Sequence, residues 1–167
     1  MSTYAEDVIG RYRNKGILLD SNLMLLLLIG RFDTGLLGKT GFKRTVQFIP
    51  EDFRLLVKFL ALFRQRVTTA HILTEVSNLA GKLPEHRKID CFGTFVTTLE
   101  QFHEQACSSM ASARREDFCQ IGLTDAVVSD FAPEYLVLSD DRRLCARLNE
   151  SGIDALNFNH IRTLNWA

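Results

Sequence analysis

Five acidic residues, Asp20, Glu75, Asp125, Asp140 and Asp141, are spread over roughly 120 residues, yet each flanks or interrupts an apolar run. Asp20 closes Ile17-Leu18-Leu19, and Asp140-Asp141 follow Tyr135-Leu136-Val137-Leu138. Glu75 lies in the first turns of a helical stretch after the β-branched run Val67–Ala70. Asp125 lies within Ile121-Gly122-Leu123-Thr124-Asp125-Ala126-Val127-Val128, where a charge costs several kcal/mol unless it is paired or bound to a metal. If these acids converge, they repel one another and take up protons unless a divalent cation compensates. Oxygen ligands with no histidine or cysteine close by in sequence favour Mg2+ or Mn2+ over zinc. Such an ion polarises a phosphoryl oxygen and acidifies a bound water, and two ions ~3.5–4 Å apart also clamp attacking and leaving oxygens. The matching reaction is phosphodiester hydrolysis.

Each acid also has a plainer reading. Asp20 is placed to cap the helix beginning at Ser21, and Glu75 to complement a helix dipole. Asp125 could cap a neighbouring loop. Of the adjacent pair, one acid can face the site while the other caps the helix from Arg142. Asp141 is the expected ligand, and Asp140 the cap or a supplementary ligand.

Alternating strands and helices must position these residues. Gly16–Asp20 reads as a buried strand, followed by a helix through Ile29. Gly30–Gly41, with Gly30, Gly35, Gly38 and Gly41, reads as a loop with room for a short helix and without the spacing of a phosphate cradle. Pro50-Glu51-Asp52 starts a helix. Helices are expected over His71–Gly81, Lys88–Met110, Glu116–Phe131 and Arg142–Glu150, with strands Tyr135–Ser139 and Ile153–Phe158. This order predicts an α/β fold, a mostly parallel sheet with helices on both faces, over a single domain spanning residues 1–167. Ligands bind beyond the carboxyl ends of such strands, where Asp20 and Asp140-Asp141 stand.

Composition narrows the function classes. Lys and Arg total 20 and Asp and Glu total 20, so no global basic field marks a nucleic-acid partner. Setting the five acids aside leaves 15 acids against 20 bases, a surplus of five positive charges on the remaining surface. Cys91, Cys107, Cys119 and Cys145 lack zinc-site spacing and read as reduced, mostly buried thiols. Leu23–Ile29 is the strongest apolar run, far short of the ~20 residues that span a bilayer, and its flanks do not suit a signal peptide. A cytoplasmic protein without a membrane partner is expected. The histidines His71, His86, His103 and His160 are dispersed and read as ordinary surface or core residues. Phe92, Phe95, Val96, Leu99, Phe102 and Ala106 form a helical stripe read as core or as a homodimer face.

Leu18-Leu19-Asp20-Ser21-Asn22, Leu73-Thr74-Glu75-Val76, Gly122-Leu123-Thr124-Asp125-Ala126 and Val137-Leu138-Ser139-Asp140-Asp141-Arg142-Arg143-Leu144 resemble, in order and approximate spacing, the successive motifs of the PIN-domain nucleases. The resemblance runs from about Gly16 to Phe158. It implies a three-layer PIN-like fold with a twisted parallel sheet and a Mg2+- or Mn2+-dependent acidic pocket. It further implies an endoribonuclease acting on single-stranded RNA, in many relatives the toxin of a toxin-antitoxin pair with an antitoxin protein as partner. Carried over, Asp20, Glu75, Asp125 and Asp141 would be the catalytic, metal-binding acids, with Asp140 supplementary and Asn22 and Ser139 supporting the pocket. Arg142 and Arg143 would contact phosphate. The chain departs from the compact toxins in the 55-position spacing from Asp20 to Glu75, and in Ser139, where threonine is common. Two competing readings are a non-catalytic PIN-like module that binds RNA or protein, and a metal-dependent phosphatase. The latter is disfavoured because Asn22 stands where an aspartyl-phosphate enzyme wants a second acid.

Overall fold

The run Leu23–Ile29 is buried from end to end at no more than 1% exposure, inside a twelve-residue helix, α2 (Ser21–Phe32). A helix that is apolar all round needs protein on every side, and α2 is the centre around which the chain is organised. It packs on α3 (Pro50–Leu60), α4 (Ala70–Ala80) and α5 (Glu85–Leu99). The computed structural model describes residues 3–38 and 42–166.

Five short strands form one sheet, β1 (Ile17–Leu19), β2 (Arg66–Thr69), β3 (His103–Gln105), β4 (Leu136–Ser139) and β5 (Ala155–Asn157). They are ordered β3-β2-β1-β4-β5, and every pairing is parallel. β1 and β4 are wholly buried, as unbroken Ile/Leu/Val runs must be when both faces of a sheet are covered. Around the sheet stand nine α-helices among the described residues, the others being α1 (Thr3–Tyr12), α6 (Ser109–Ala113), α7 (Phe118–Phe131), α8 (Arg142–Glu150) and α9 (Phe158–Trp166). This is the expected α/β class, and the layers are consistent with a three-layer PIN-like arrangement. No described helix is long and apolar enough to cross a membrane.

After β1 the chain builds outward through β2 to β3, then returns to lay β4 on the other side of β1. The order therefore reverses between β1 and β4. At such a switch point the loops leaving adjacent strands part in opposite directions and open a crevice beyond the strand ends. Asp20 leaves β1, and Asp140 leaves β4, at that crevice.

The C-terminal helix is fixed by a buried charge pair. Asp52, fully buried in the first turn of α3, accepts from Ile49 N–H at 2.8 Å and from Arg162 Nε of α9 at 2.8 Å. Arg162 also donates to the Gln47 carbonyl.

Several expected boundaries move. The helix expected over Lys88–Met110 ends at Leu99, and His103–Gln105 becomes the edge strand β3. The stripe meant for one face is thus split. Phe95 is buried and Phe92, Leu99 and Phe102 pack against the core, whereas Val96 is exposed and Ala106 lies beyond the strand. The helix expected over Glu116–Phe131 starts at Phe118 and is broken at Gly122, whose φ of 77° and ψ of 176° suit glycine alone. α2 continues to Phe32 and a short 3-10 turn covers Thr34–Leu36, so only part of Gly30–Gly41 is loop, and residues 39–41 lie outside the described residues. Of the four free cysteines only Cys91 and Cys145 are buried, while Cys107 is half-buried and Cys119 exposed.

Candidate functional site

Asp20 is the N-cap of α2, its Oδ1 accepting from Leu23 N–H at 2.8 Å. Its Oδ2 reaches across to the end of β4, where it accepts from the Ser139 hydroxyl and from Asp140 N–H at 3.1 Å. Ser139 in turn accepts from Asp141 N–H at 2.9 Å. One buried carboxylate and one buried hydroxyl therefore tie the exits of the two central strands together. Burial pushes the Asp20 carboxyl up to about 8, Asp140 adds to the shift, and the donors from Ser139, Leu23 and Asp140 oppose it.

Asp141, the expected ligand, takes the helix-capping role that was open to Asp140. Asp141, not Asp140, is the N-cap of α8, with Oδ1 accepting from Arg143 N–H at 2.7 Å and Leu144 N–H at 3.2 Å. The reason is geometric: the N-cap is the residue just before the first helical one, and α8 begins at Arg142. Both cap contacts use Oδ1. Asp140 faces the crevice, where its Oδ1 accepts from Asn22 Nδ2 at 3.0 Å. Asn22 and Ser139 thus each donate a hydrogen bond to an acid of this edge.

Glu75, on the second turn of α4, is exposed and accepts from the Ser21 hydroxyl at 2.8 Å. That bond moors it one residue from Asp20. Asp125 stands three residues beyond the Gly122 break and is half-buried rather than sealed in a core. Burial is the main force raising its carboxyl above the ordinary range. Asp141 adds to this, Arg147 opposes it, and Glu75 adds a smaller push. Asp125 therefore feels charges from α4 and α8 together.

Glu75 and Asp125 also line a cleft of about 800 Å³ between α4 and the broken part of α7. At its other end His71 Nε2 lies 2.8 Å from the Ser109 hydroxyl, and the Cys107 sulfur 3.7 Å from His71 Nδ1. Burial, then Asp130, raises the Cys107 thiol, so it is no ready nucleophile. Cys145, beneath the acidic edge, is pushed up to about 12 by burial first and then by Asp20, Asp141 and Asp140.

Arg142 and Arg143 are both exposed, and Arg142 lines a different, smaller cavity away from the cleft. The arginine whose charge acts on Asp125 is Arg147, one turn further along α8. Its Nε lies 3.9 Å from Asp117 Oδ2, and its Nη2 is buried without a hydrogen-bond partner. Only the four-residue spacing from Arg143 hinted at a second cation on that face. His71 and Ser21 carried no sequence signal, because their partners are remote in the chain.

The donor set suits a hard divalent cation, since like charges face one another across the edge with Arg147 as the cation acting on Asp125. Among the described residues, however, no three His, Cys, Asp or Glu side chains are grouped so that they could hold a metal ion together. Mg2+ commonly binds through one or two carboxylates and keeps several waters, so a ready-made cage is not required. No family model matches this chain, and no curated protein sequence matches it.

Proposed function

We propose that the protein is a Mg2+- or Mn2+-dependent endoribonuclease that hydrolyses phosphodiester bonds of single-stranded RNA. The observation supporting this most strongly is the gathering of Asp20, Glu75, Asp125, Asp140 and Asp141 at one switch point, beside an open cleft. Asp125 and Asp141, whose charges act on one another, are the pair of carboxylates that would hold the cation, with waters completing its shell. When bound, the ion would polarise a phosphoryl oxygen and acidify a water. Asp20 would act from beneath, keeping Ser139 and the Asp140 backbone in place. Glu75, moored by Ser21 but exposed, would orient a water at the cleft entrance. Arg147 would limit the repulsion around Asp125. An antitoxin protein and a second copy of the chain stay within this reading as partners.

The second reading, a non-catalytic PIN-like module that binds RNA or protein, draws on one specific observation. Both Asp20 oxygens are engaged by donors of the fold, and burial raises the carboxyl above the ordinary range. A wholly structural Asp20 would serve a binding module equally well.

The two separate in one experiment. Purified protein is incubated with mixed-sequence single-stranded RNA in Mn2+, in Mg2+ and in EDTA, beside a folded Asp125→Asn variant. Cleavage that needs the metal and falls at least about a hundredfold in the variant is the expected result. RNA binding without turnover in every metal would sink the nuclease and favour the module.

A further inference from the structure

Two arginines meet at the edge of the sheet where the strands begin, opposite the acidic edge. Arg31 stands in the last turn of α2, and Arg66 opens β2. Both are half-buried, and both donate to one neutral oxygen, Gln101 Oε1, from Arg31 Nη2 at 2.5 Å and from Arg66 Nη1 at 3.0 Å. Arg31 Nη1 also reaches the buried Thr98 hydroxyl at 3.5 Å. Neither arginine has a carboxylate partner among the described residues. Asp33, two residues on from Arg31, pairs with Arg87 at 2.6 Å, and the exposed Glu100 forms no ion pair with either arginine.

Guanidinium groups do not shed their protons, so drawing two of them to one amide oxygen sets like charges against each other. Burial, then Arg66, lowers the Arg31 guanidinium below its ordinary range. The dipole at the end of α2 favours a cation at Arg31, but Arg66 opens a strand, where the backbone carries little net dipole. Gln101 orients the two charges without balancing them, and balance calls for an anion. The donors to meet one are open: Arg31 Nε, Arg66 Nε and Arg66 Nη2 have no partner in the protein, and none is sealed from solvent. Arg13, Lys15 and Arg64 are exposed on the turns leading into β1 and β2, which lie side by side where Arg64 N–H donates to the Arg13 carbonyl at 2.9 Å. Their positive field draws anions to this edge.

We propose that Arg31, Arg66 and Gln101 form a binding site for a phosphoryl group, carried by a free phosphate, a phosphomonoester or the backbone of a nucleic acid. A phosphate is tetrahedral, and its separate oxygens accept from two guanidinium forks that arrive from different elements. A carboxylate has two oxygens in one plane and is filled by a single fork. The Gln101 amide nitrogen adds neutral donors beside the two cations. Arg31 is eleven residues along α2 from Asp20, roughly 16 Å at the helical rise, so the site stands apart from the acidic edge. It does not depend on the nuclease reading.

The test is calorimetric titration of the full chain at low ionic strength, with EDTA present so that the acidic edge takes up no metal. The probes are inorganic phosphate, adenosine 5′-monophosphate and a short oligoribonucleotide without a terminal phosphate, with acetate as the comparison. At least one phosphate-bearing probe should bind saturably and about tenfold or more tighter than acetate. Arg31→Gln and Arg66→Gln should each weaken that binding about tenfold or more. Gln101→Glu, at an exposed position, supplies the counter-charge from the chain itself and should abolish binding in a protein that remains folded. Binding confined to the two small phosphates identifies a free phosphate or phosphomonoester as the source, whereas Arg31- and Arg66-dependent binding of the oligoribonucleotide identifies a backbone phosphate. The assignment is overturned if no phosphate-bearing probe binds at millimolar concentration or if acetate binds as tightly. It is equally overturned if the three variants bind as the wild type does.

Discussion

Ser139→Ala tests the tie between the two central strands, because this hydroxyl has two jobs. Fully buried, it donates to Asp20 and accepts from Asp141 N–H. Removing it takes from Asp20 a hydrogen bond worth about 1.5–3 kcal/mol when the acceptor is charged, and strips Asp141 N–H of its acceptor for about 1 kcal/mol more. The expected loss is about 2–4 kcal/mol, or a fall in Tm of about 5–15 °C for a domain of this size. The loss should also depend on pH. Asp20 ionises near 3.8 in the unfolded chain and near 8 in the fold, so between those values the folded state holds a proton that the unfolded state releases. Its contribution to stability is complete below about pH 4 and declines as pH rises to about 8. Ser139 favours the ionised form, so without it the folded value moves further up and the decline continues to higher pH. Urea unfolding of wild type, Ser139→Ala and Ser139→Thr at about pH 6 and about pH 9.5 reads this directly. The alanine variant should lose more at the higher pH, and threonine, which keeps the hydroxyl, should restore the wild-type profile. A loss below about 1 kcal/mol, or one equal at both pH values, would refute the reasoning.

Two further substitutions probe how the fold delivers the site. Gly122→Ala meets no steric neighbour, yet forces a side chain onto a φ of 77°, so it should destabilise by about 1–3 kcal/mol in chemical denaturation and weaken Mn2+ binding by displacing Asp125. Unchanged stability would show that the break in α7 relaxes freely. Arg162→Ala leaves Asp52 buried without its cation and should cost about 3 kcal/mol. Arg162→Ala with Asp52→Asn should cost less than Arg162→Ala alone, and an equal or larger cost would mean that the ion pair is not what fixes α9.

What the sequence disclosed, and what it hid, follows from where each signal lives. β1 and β4 were legible because a strand covered on both faces must be continuously apolar, and Asp20 and Asp140-Asp141 stood out as the charges ending those runs. Alternating elements pointed to a parallel sheet, but its strand order, and with it the switch point, came only with the structure. β3 was not legible: His103-Glu104-Gln105 is a polar edge segment held by backbone pairing to β2, and its side chains carry no strand pattern. The upstream stripe ran through it in helical register, so a helix was extended over a strand. The start of α8 at Arg142 was legible, and it already made Asp141, the residue just before it, the N-cap. Asp125 was found by its apolar neighbours, but its actual half-burial depends on the Gly122 break, which a solitary glycine in a helical run does not announce. Arg147 and His71 act through partners that tertiary structure alone supplies. α1 and α9 went unassigned, their amphipathic patterns being short and mixed with polar residues.

The most direct test of the acidic edge is a Mn2+ titration by calorimetry at neutral pH, on wild type and on Asp125→Asn, with both confirmed folded by circular dichroism. A metal-binding edge predicts saturable Mn2+ binding by wild type, weakened about tenfold or more in the variant, with proton release as carboxyls raised by burial respond to the incoming charge. Absence of binding at millimolar Mn2+, or equal binding by both proteins, would contradict the claim that these carboxylates were gathered for a cation.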